Sequence, residues 1–221
     1  MTSASSNIEQ TRSAKLEEIL REAPIIPVIT IERVEDAVPL ARALVAGGLI
    51  ALEITLRTAA APAAAAAIIK AVPEAIVGLG TVLTREDLEI ARNLGARFAL
   101  SPGATPGLLD AAAAGELPFI PGIQTSSEIM AALVRGFDVV KFFPAVPAGG
   151  IAALKALAGP FPQMRFCPTG GIGESNFADW LALGNVVSVG GSWLEPTTDV
   201  RAGDWAAITA RAKRALTHVS R

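Results

Sequence analysis

The sequence predicts an α/β protein, a (β/α)8 barrel of the TIM type with an extra N-terminal helix. Three observations carry that prediction. Short β-rich runs alternate with alanine-rich amphipathic stretches, and the alternation recurs about every 20–25 residues. Eight such pairs can be counted, the number a closed barrel needs. No Gly-x-Gly-x-x-Gly fingerprint follows the first strand, where a doubly wound dinucleotide fold would carry one. The chain has 221 residues, 51% hydrophobic and 18% charged, enough to bury one large core, so residues 1–221 are read as a single domain.

In chain order, a helix is expected over Ile8–Glu22, after a disordered tail at residues 1–7. The first strand is expected at Ile25–Ile29 and the next helix near Arg33–Ala46, stopped by Gly47-Gly48 because glycine tolerates the left-handed conformation past a helix end. Leu49–Thr55 and Thr58–Ala71 form the second pair. The alanine run at 63–67 reads as helix, since alanine is the strongest helix former and permits close packing on a barrel wall. Ala75–Gly80 precedes Thr84–Leu94, where Thr84 and Asp87 fit a capping box and Gly95 a stop. Phe98–Ser101 leads to Thr105–Ala114, and Phe119–Gly122 to Thr125–Arg135, capped by Thr125 with Glu128 and ended by Gly136. The last pairs are Val139–Phe143 with Gly150–Leu157, Arg165–Thr169 with Asn176–Leu183, and Val186–Val189 with Asp204–Leu216.

With 19 Lys+Arg against 21 Asp+Glu, the formal net charge is -2 and no basic run appears, so neither nucleic acid nor a membrane is expected as a partner. The opening segment lacks the charged and apolar regions of a secretion signal, which predicts a soluble, cytoplasmic protein. The single cysteine, Cys167, cannot form an internal disulfide, and the single histidine, His218, lies three residues from the C-terminus. No metal site and no His-based triad is expected from so few ligands.

The chemistry is sought at the C-terminal ends of the strands, where barrels carry it. In the sixth strand Lys141 is flanked by Val139-Val140 and Phe142-Phe143. It is the only lysine on a predicted strand; Lys15, Lys70, Lys155 and Lys213 fall on predicted helices. A closed barrel has no edge on which to expose an ammonium. Desolvation favours the neutral amine, which attacks carbonyls, so Lys141 is read as a Schiff-base former, with a buried structural ion pair as the alternative.

In the second strand Glu53, Thr55 and Arg57 alternate with Leu52, Ile54 and Leu56, so the polar set shares one face. Glu53 and Thr55 then point into the barrel, and Arg57 reaches over its top. Glu53 and Arg57 could simply pair with each other. The second and sixth strands, however, stand on opposite sides of an eight-stranded barrel, so Glu53 can meet Lys141 across its centre as acid/base partner. The seventh and eighth strands end in Thr169-Gly170-Gly171 and Gly190-Gly191-Ser192, the loops from which barrels often build a phosphate site. These residues together describe a site for a phosphorylated carbonyl compound, with Arg57 holding a further anion and an iminium on Lys141 as electron sink for carbon–carbon cleavage.

Val140–Pro144, Phe166–Ile172 and Gly190–Leu194 resemble the corresponding segments of the 2-keto-3-deoxy-6-phosphogluconate (KDPG) aldolases, the bifunctional KHG/KDPG aldolase family. Glu53–Thr58, Gly80–Leu83, Ser101–Gly103 and Pro121–Ile123 extend the resemblance over the chain beyond its N-terminal tail. It implies a class I aldolase of the Entner–Doudoroff pathway, splitting the phosphorylated keto acid into pyruvate and D-glyceraldehyde 3-phosphate without metal or organic cofactor, and working as a homotrimer. On matching positions, Lys141 forms the carbinolamine and iminium, and Glu53 moves protons. Arg57, Thr81 and Thr169 hold the substrate carboxylate or nearby oxygens; Gly170, Gly171, Gly191 and Ser192 cradle the phosphate. Where many relatives carry a polar residue, this chain has Val146. The competing readings are a neighbouring pyruvate aldolase acting on 4-hydroxy-2-oxoglutarate or the phosphogalactonate epimer, a non-catalytic binding barrel, and a sugar-phosphate isomerase. A pure binding site does not need both amine and proton carrier, and an isomerase predicts paired carboxylates or histidines that the strand ends lack.

Overall fold

A computed structural model of the chain describes residues 3–219. The strands are β1 (Ile25–Ile29), β2 (Ala51–Thr55), β3 (Ile76–Gly80), β4 (Phe98–Leu100), β5 (Phe119–Ile120), β6 (Gly122–Ile123), β7 (Val139–Phe142), β8 (Arg165–Pro168) and β9 (Val189–Gly191). The helices are α1 (Ser3–Glu22), α2 (Val34–Ala46), α3 (Ala61–Ala71), α4 (Arg85–Leu94), α5 (Pro106–Ala113), α6 (Ser126–Leu133), α7 (Gly150–Ala158), α8 (Phe177–Leu181), α9 (Thr197–Ala202) and α10 (Trp205–Thr217). Every strand pairing is parallel. A six-stranded sheet has the order β5-β4-β3-β2-β1-β9, and a three-stranded sheet the order β6-β7-β8.

The break between the sheets falls at Pro121, which has no N–H to donate to the ladder. The single strand expected at Phe119–Gly122 is therefore two short pieces. The Pro121 carbonyl still accepts from the Lys141 amide at 2.9 Å. Isolated bridges Phe166↔Val186 and Thr169↔Gly190 link β8 to the segment ending in β9. That last strand runs later than the expected Val186–Val189 because its ladder to β1 begins only at Ile25↔Val189.

Both predicted capping boxes form. Thr84 Oγ1 accepts from the Asp87 amide at 3.1 Å while Asp87 accepts from the Thr84 amide at 3.0 Å, and Thr125 with Glu128 repeats the exchange. The first helix begins at Ser3, earlier than the expected Ile8, and so runs through part of the segment expected to be a tail; residues 1–2 lie outside the described residues. α3 starts at Ala61 instead of Thr58, with Pro62 in its first turn, where a missing N–H costs nothing. α9 has no counterpart among the expected elements.

Two apolar layers result from the period of two along the strands. Leu52 and Ile54 pack outward with helix residues such as Leu40, Leu44 and Ile68. Ala51, Phe98, Leu100, Ile120, Val139 and Cys167 point inward and meet Leu16, Ile19 and Leu20 of α1, which closes the N-terminal end of the strands. Arg12 fixes α1 there by donating to the carbonyls of Ala113 at 3.2 Å and Gly136 at 3.2 Å, with its guanidinium 4.4 Å from the centroid of the Phe137 ring. Among the described residues no helix is long and apolar enough to cross a membrane.

Candidate active site

The inward register that places Ala51 and Val139 at the closed end places Glu53 and Lys141 one interior step higher. Lys141 Nζ donates to Glu53 Oε1 at 2.8 Å and to Oε2 at 3.2 Å, although 88 residues separate them. Both side chains are almost wholly buried, at 3% and 1% exposure. The sequence alternatives for Glu53 are thereby decided: its partner is Lys141, not Arg57. Arg57 instead donates from Nε to Thr81 Oγ1 at 3.0 Å.

Gly80, opposite Thr55 in the β2–β3 register, explains how a carboxylate fits at the centre of the strands. A Cβ there would overlap the Glu53 carboxylate, so only glycine leaves the acid its place. Thr81 follows with φ 58, a conformation uncommon for a non-glycine residue, and this turns its hydroxyl toward Arg57. Above Glu53, Thr55 Oγ1 donates to the Ile29 carbonyl at 3.0 Å and contacts Thr30 Oγ1 at 3.0 Å.

A cavity of about 1140 Å³ opens over this end of the strands. Arg57, Thr169, Gly170, Gly171, Gly191 and Ser192 line it. Gly170 and Gly171 have φ of +101 and +77, a turn closed to most side chains, and the Thr169↔Gly190 bridge brings it beside the Gly191-Ser192 turn. Two runs of backbone amides on adjacent strand ends suit a phosphate. Thr81 stands beside Arg57 rather than in the cavity wall. Lys141 and Glu53 lie beneath the cavity, bracketed by two residues that do line it. Val28 is in register with Glu53, and the Phe143 ring centroid is 5.6 Å from Lys141 Nζ. The Val146 side chain stands close beside Gly171, where an added Cβ would meet it, and is 44% exposed.

Thr30, Phe143 and Glu195 are among the cavity residues missed from sequence. Thr30, just past the end of β1, and Phe143, just past the end of β7, stand where a search of every strand end for functional side chains would find them. Glu195, three residues beyond Ser192, carries no such signal. It is buried, one carboxylate oxygen has no hydrogen-bond partner, and burial pushes its carboxyl up to about 8 against the opposing pull of its own amide and Arg211. Cys167, in register with Lys141, is likewise pushed up by burial, to about 12, which keeps the thiol protonated and inert beside the amine.

A buried lysine–glutamate pair under a cavity lined by an arginine and two runs of backbone amides is the arrangement of a carbonyl-trapping enzyme. The family model described as "KDPG and KHG aldolase" matches residues 16–211. This chain belongs to that family. It is 53% identical over 200 residues to the KHG/KDPG aldolase of Escherichia coli (strain K12), covering 90% of this chain and 94% of that one. The 2-dehydro-3-deoxy-phosphogluconate aldolase of Pseudomonas aeruginosa is 48% identical over 210 residues, 95% of each chain. Among solved structures, the KDPG aldolase of Legionella pneumophila, with pyruvate captured as a covalent carbinolamine intermediate, superposes with a TM-score of 0.87 at 46% identity. That match covers 89% of this chain and 96% of the other. The 2-keto-3-deoxy-6-phosphogluconate aldolase of Zymomonas mobilis with 3-phosphoglycerate gives 0.86 at 45% identity, covering 90% and 93%.

Proposed function

We propose that the chain is a class I aldolase cleaving 2-dehydro-3-deoxy-6-phosphogluconate to pyruvate and D-glyceraldehyde 3-phosphate, within a closed (β/α)8 barrel. The observation that carries the reading is the 2.8 Å contact between the buried Lys141 amine and the Glu53 carboxylate, family membership being its context. Glu53 takes a proton from Lys141, and the freed amine attacks the C2 ketone. Glu53 returns the proton to the carbinolamine hydroxyl, water leaves, and the iminium forms. The carboxylate, through a water, then takes the C4 hydroxyl proton; the C3–C4 bond breaks, its electron pair flows into the iminium, and the aldehyde departs. Protonation of the enamine at C3 and hydrolysis release pyruvate and restore Lys141. Arg57, oriented by Thr81, and Thr169 hold the carboxylate end; Gly170, Gly171, Gly191 and Ser192 hold the phosphate.

The hydrogen bonds across Pro121 and the bridges from β8 to Val186 and Gly190 support barrel closure. A homotrimer is proposed with it, in keeping with the apolar Met130 and Val134 that α6 and its C-terminal end leave exposed at 59% and 77%. Incubation of the purified protein with the phosphorylated keto acid, with pyruvate read by lactate dehydrogenase and NADH, tests the activity. Equimolar pyruvate and D-glyceraldehyde 3-phosphate are expected; absence of pyruvate contradicts the reading. The name KHG/KDPG aldolase of the Escherichia coli relative favours 4-hydroxy-2-oxoglutarate as second substrate, turned over more slowly here because it leaves the glycine turns unused.

A further inference from the structure

The hydroxyls of Thr30 and Thr55 form a chain whose proton order the chemistry decides. Thr55 Oγ1 lies 3.0 Å from the Ile29 carbonyl oxygen, which can only accept, so the single Thr55 proton is spent there. The 3.0 Å contact between the two threonine oxygens then requires Thr30 to donate. Thr30 is left with lone pairs and no free proton, and its side chain lines the cavity. The cavity holds donors, from Arg57 to the amides around Gly171 and Ser192, and the carboxylates of Glu32, Asp36 and Glu195; Thr30 adds an acceptor-only hydroxyl at a defined place.

That place follows from the topology. β1 stands between β2, which leads to Glu53 and Arg57, and β9, which leads into the Gly191-Ser192 turn. Val28 is level with Glu53, so Thr30 is one interior step nearer the mouth. A substrate reaching from Arg57 and Lys141 to the glycine turns passes Thr30 midway. Of the two hydroxyls on that stretch of the keto acid, the C4 hydroxyl is served by Glu53, which leaves the C5 hydroxyl opposite Thr30.

We propose that Thr30 is a specificity-determining residue that accepts a hydrogen bond from the substrate C5 hydroxyl, the C2 hydroxyl of the aldehyde product. This rests on the aldolase reading above and adds to it a contact that selects hydroxylated aldehydes. Thr30 is exposed in the free protein, so its replacement removes no core packing.

The test runs the reaction toward condensation, with pyruvate and either D-glyceraldehyde 3-phosphate or 3-oxopropyl phosphate, the same aldehyde without its C2 hydroxyl. Thr30→Val keeps the shape and removes the acceptor. It is expected to lower kcat/KM about threefold to tenfold for the hydroxylated aldehyde, the span of one ordinary hydrogen bond, and to leave the deoxy aldehyde unchanged. Thr30→Ser is expected to restore the difference, and Thr30→Ala to repeat the loss. Equal losses on both aldehydes, or none on either, overturn the proposal while leaving the aldolase reading in place. Absence of condensation by the unaltered protein with both aldehydes overturns the aldolase reading, and this inference with it.

Discussion

The inward-facing positions of the strands divide into two ends. At the α1 end, Ile26, Ala51, Val139 and Cys167 pack with Phe98, Ile120 and Leu16 into a dry apolar layer. Two residues further along the same strands stand Val28, Glu53, Lys141 and Thr169, and two further again Thr30, Thr55 and Phe143. The period of two thus assigns one end of each strand to stability and the other to chemistry, with no loop or insertion between them. Substitutions a single interior step apart should therefore fail in different ways.

Lys141→Met is expected to give the largest effect, complete loss of turnover. It also leaves Glu53 buried without its cation, which typically costs about 3–5 kcal/mol. Adding Glu53→Gln to Lys141→Met should recover most of that stability and none of the activity, as chemical denaturation beside the pyruvate assay will read. If the double variant is as unstable as the single one, the pair matters to the fold in a way that its position above the apolar layer does not account for.

Glu53→Gln alone keeps shape and loses the proton carrier, so turnover should fall about 10²–10⁴-fold while the amine still forms adducts slowly. At the other end, Phe98→Ala should cost about 3–5 kcal/mol of stability yet leave kcat nearly unchanged at temperatures where the variant is folded. A large fall in kcat without a fall in stability would erase the division between the two ends.

The smallest expected effect concerns Glu195 at the cavity. Its folded-state value of about 8 lies above the ordinary 4.5, so the folded state holds a proton that the unfolded chain has released. Stability should therefore decline as pH rises from about 4.5 to about 8 and level off above. Glu195→Gln should flatten that decline in denaturation curves taken between pH 5 and 9; an unchanged slope would place its origin elsewhere.

The alternation of strands and helices was legible because it rests on local patterns: apolar runs, the Thr84 and Thr125 capping boxes, and glycine stops. The Lys141–Glu53 contact was legible because a charge within an apolar strand has few places to go, and the curl of the parallel strands brings two such strands face to face. Pro121 splitting a strand was visible as a residue, but its effect depends on the ladder on both sides. α1 reaching back to Ser3 and α9 filling 197–202 carry weak signals of their own and are set by what they pack on. Thr81 shows the same limit: only the left-handed turn after Gly80 places its hydroxyl on Arg57. Thr30 and Glu195 acquire meaning from neighbours distant in sequence, Thr55 for one and the cavity wall for the other.

The chemistry turns on which amine the carbonyl meets. Treating the protein with pyruvate and borohydride, then mapping peptides by mass, fixes the adduct to one residue. The expected result is one reduced pyruvyl group per chain, on the peptide containing Lys141, absent from Lys141→Met. Adduct on Lys15, Lys70, Lys155 or Lys213, or turnover of the phosphorylated keto acid without any trappable adduct, would contradict it.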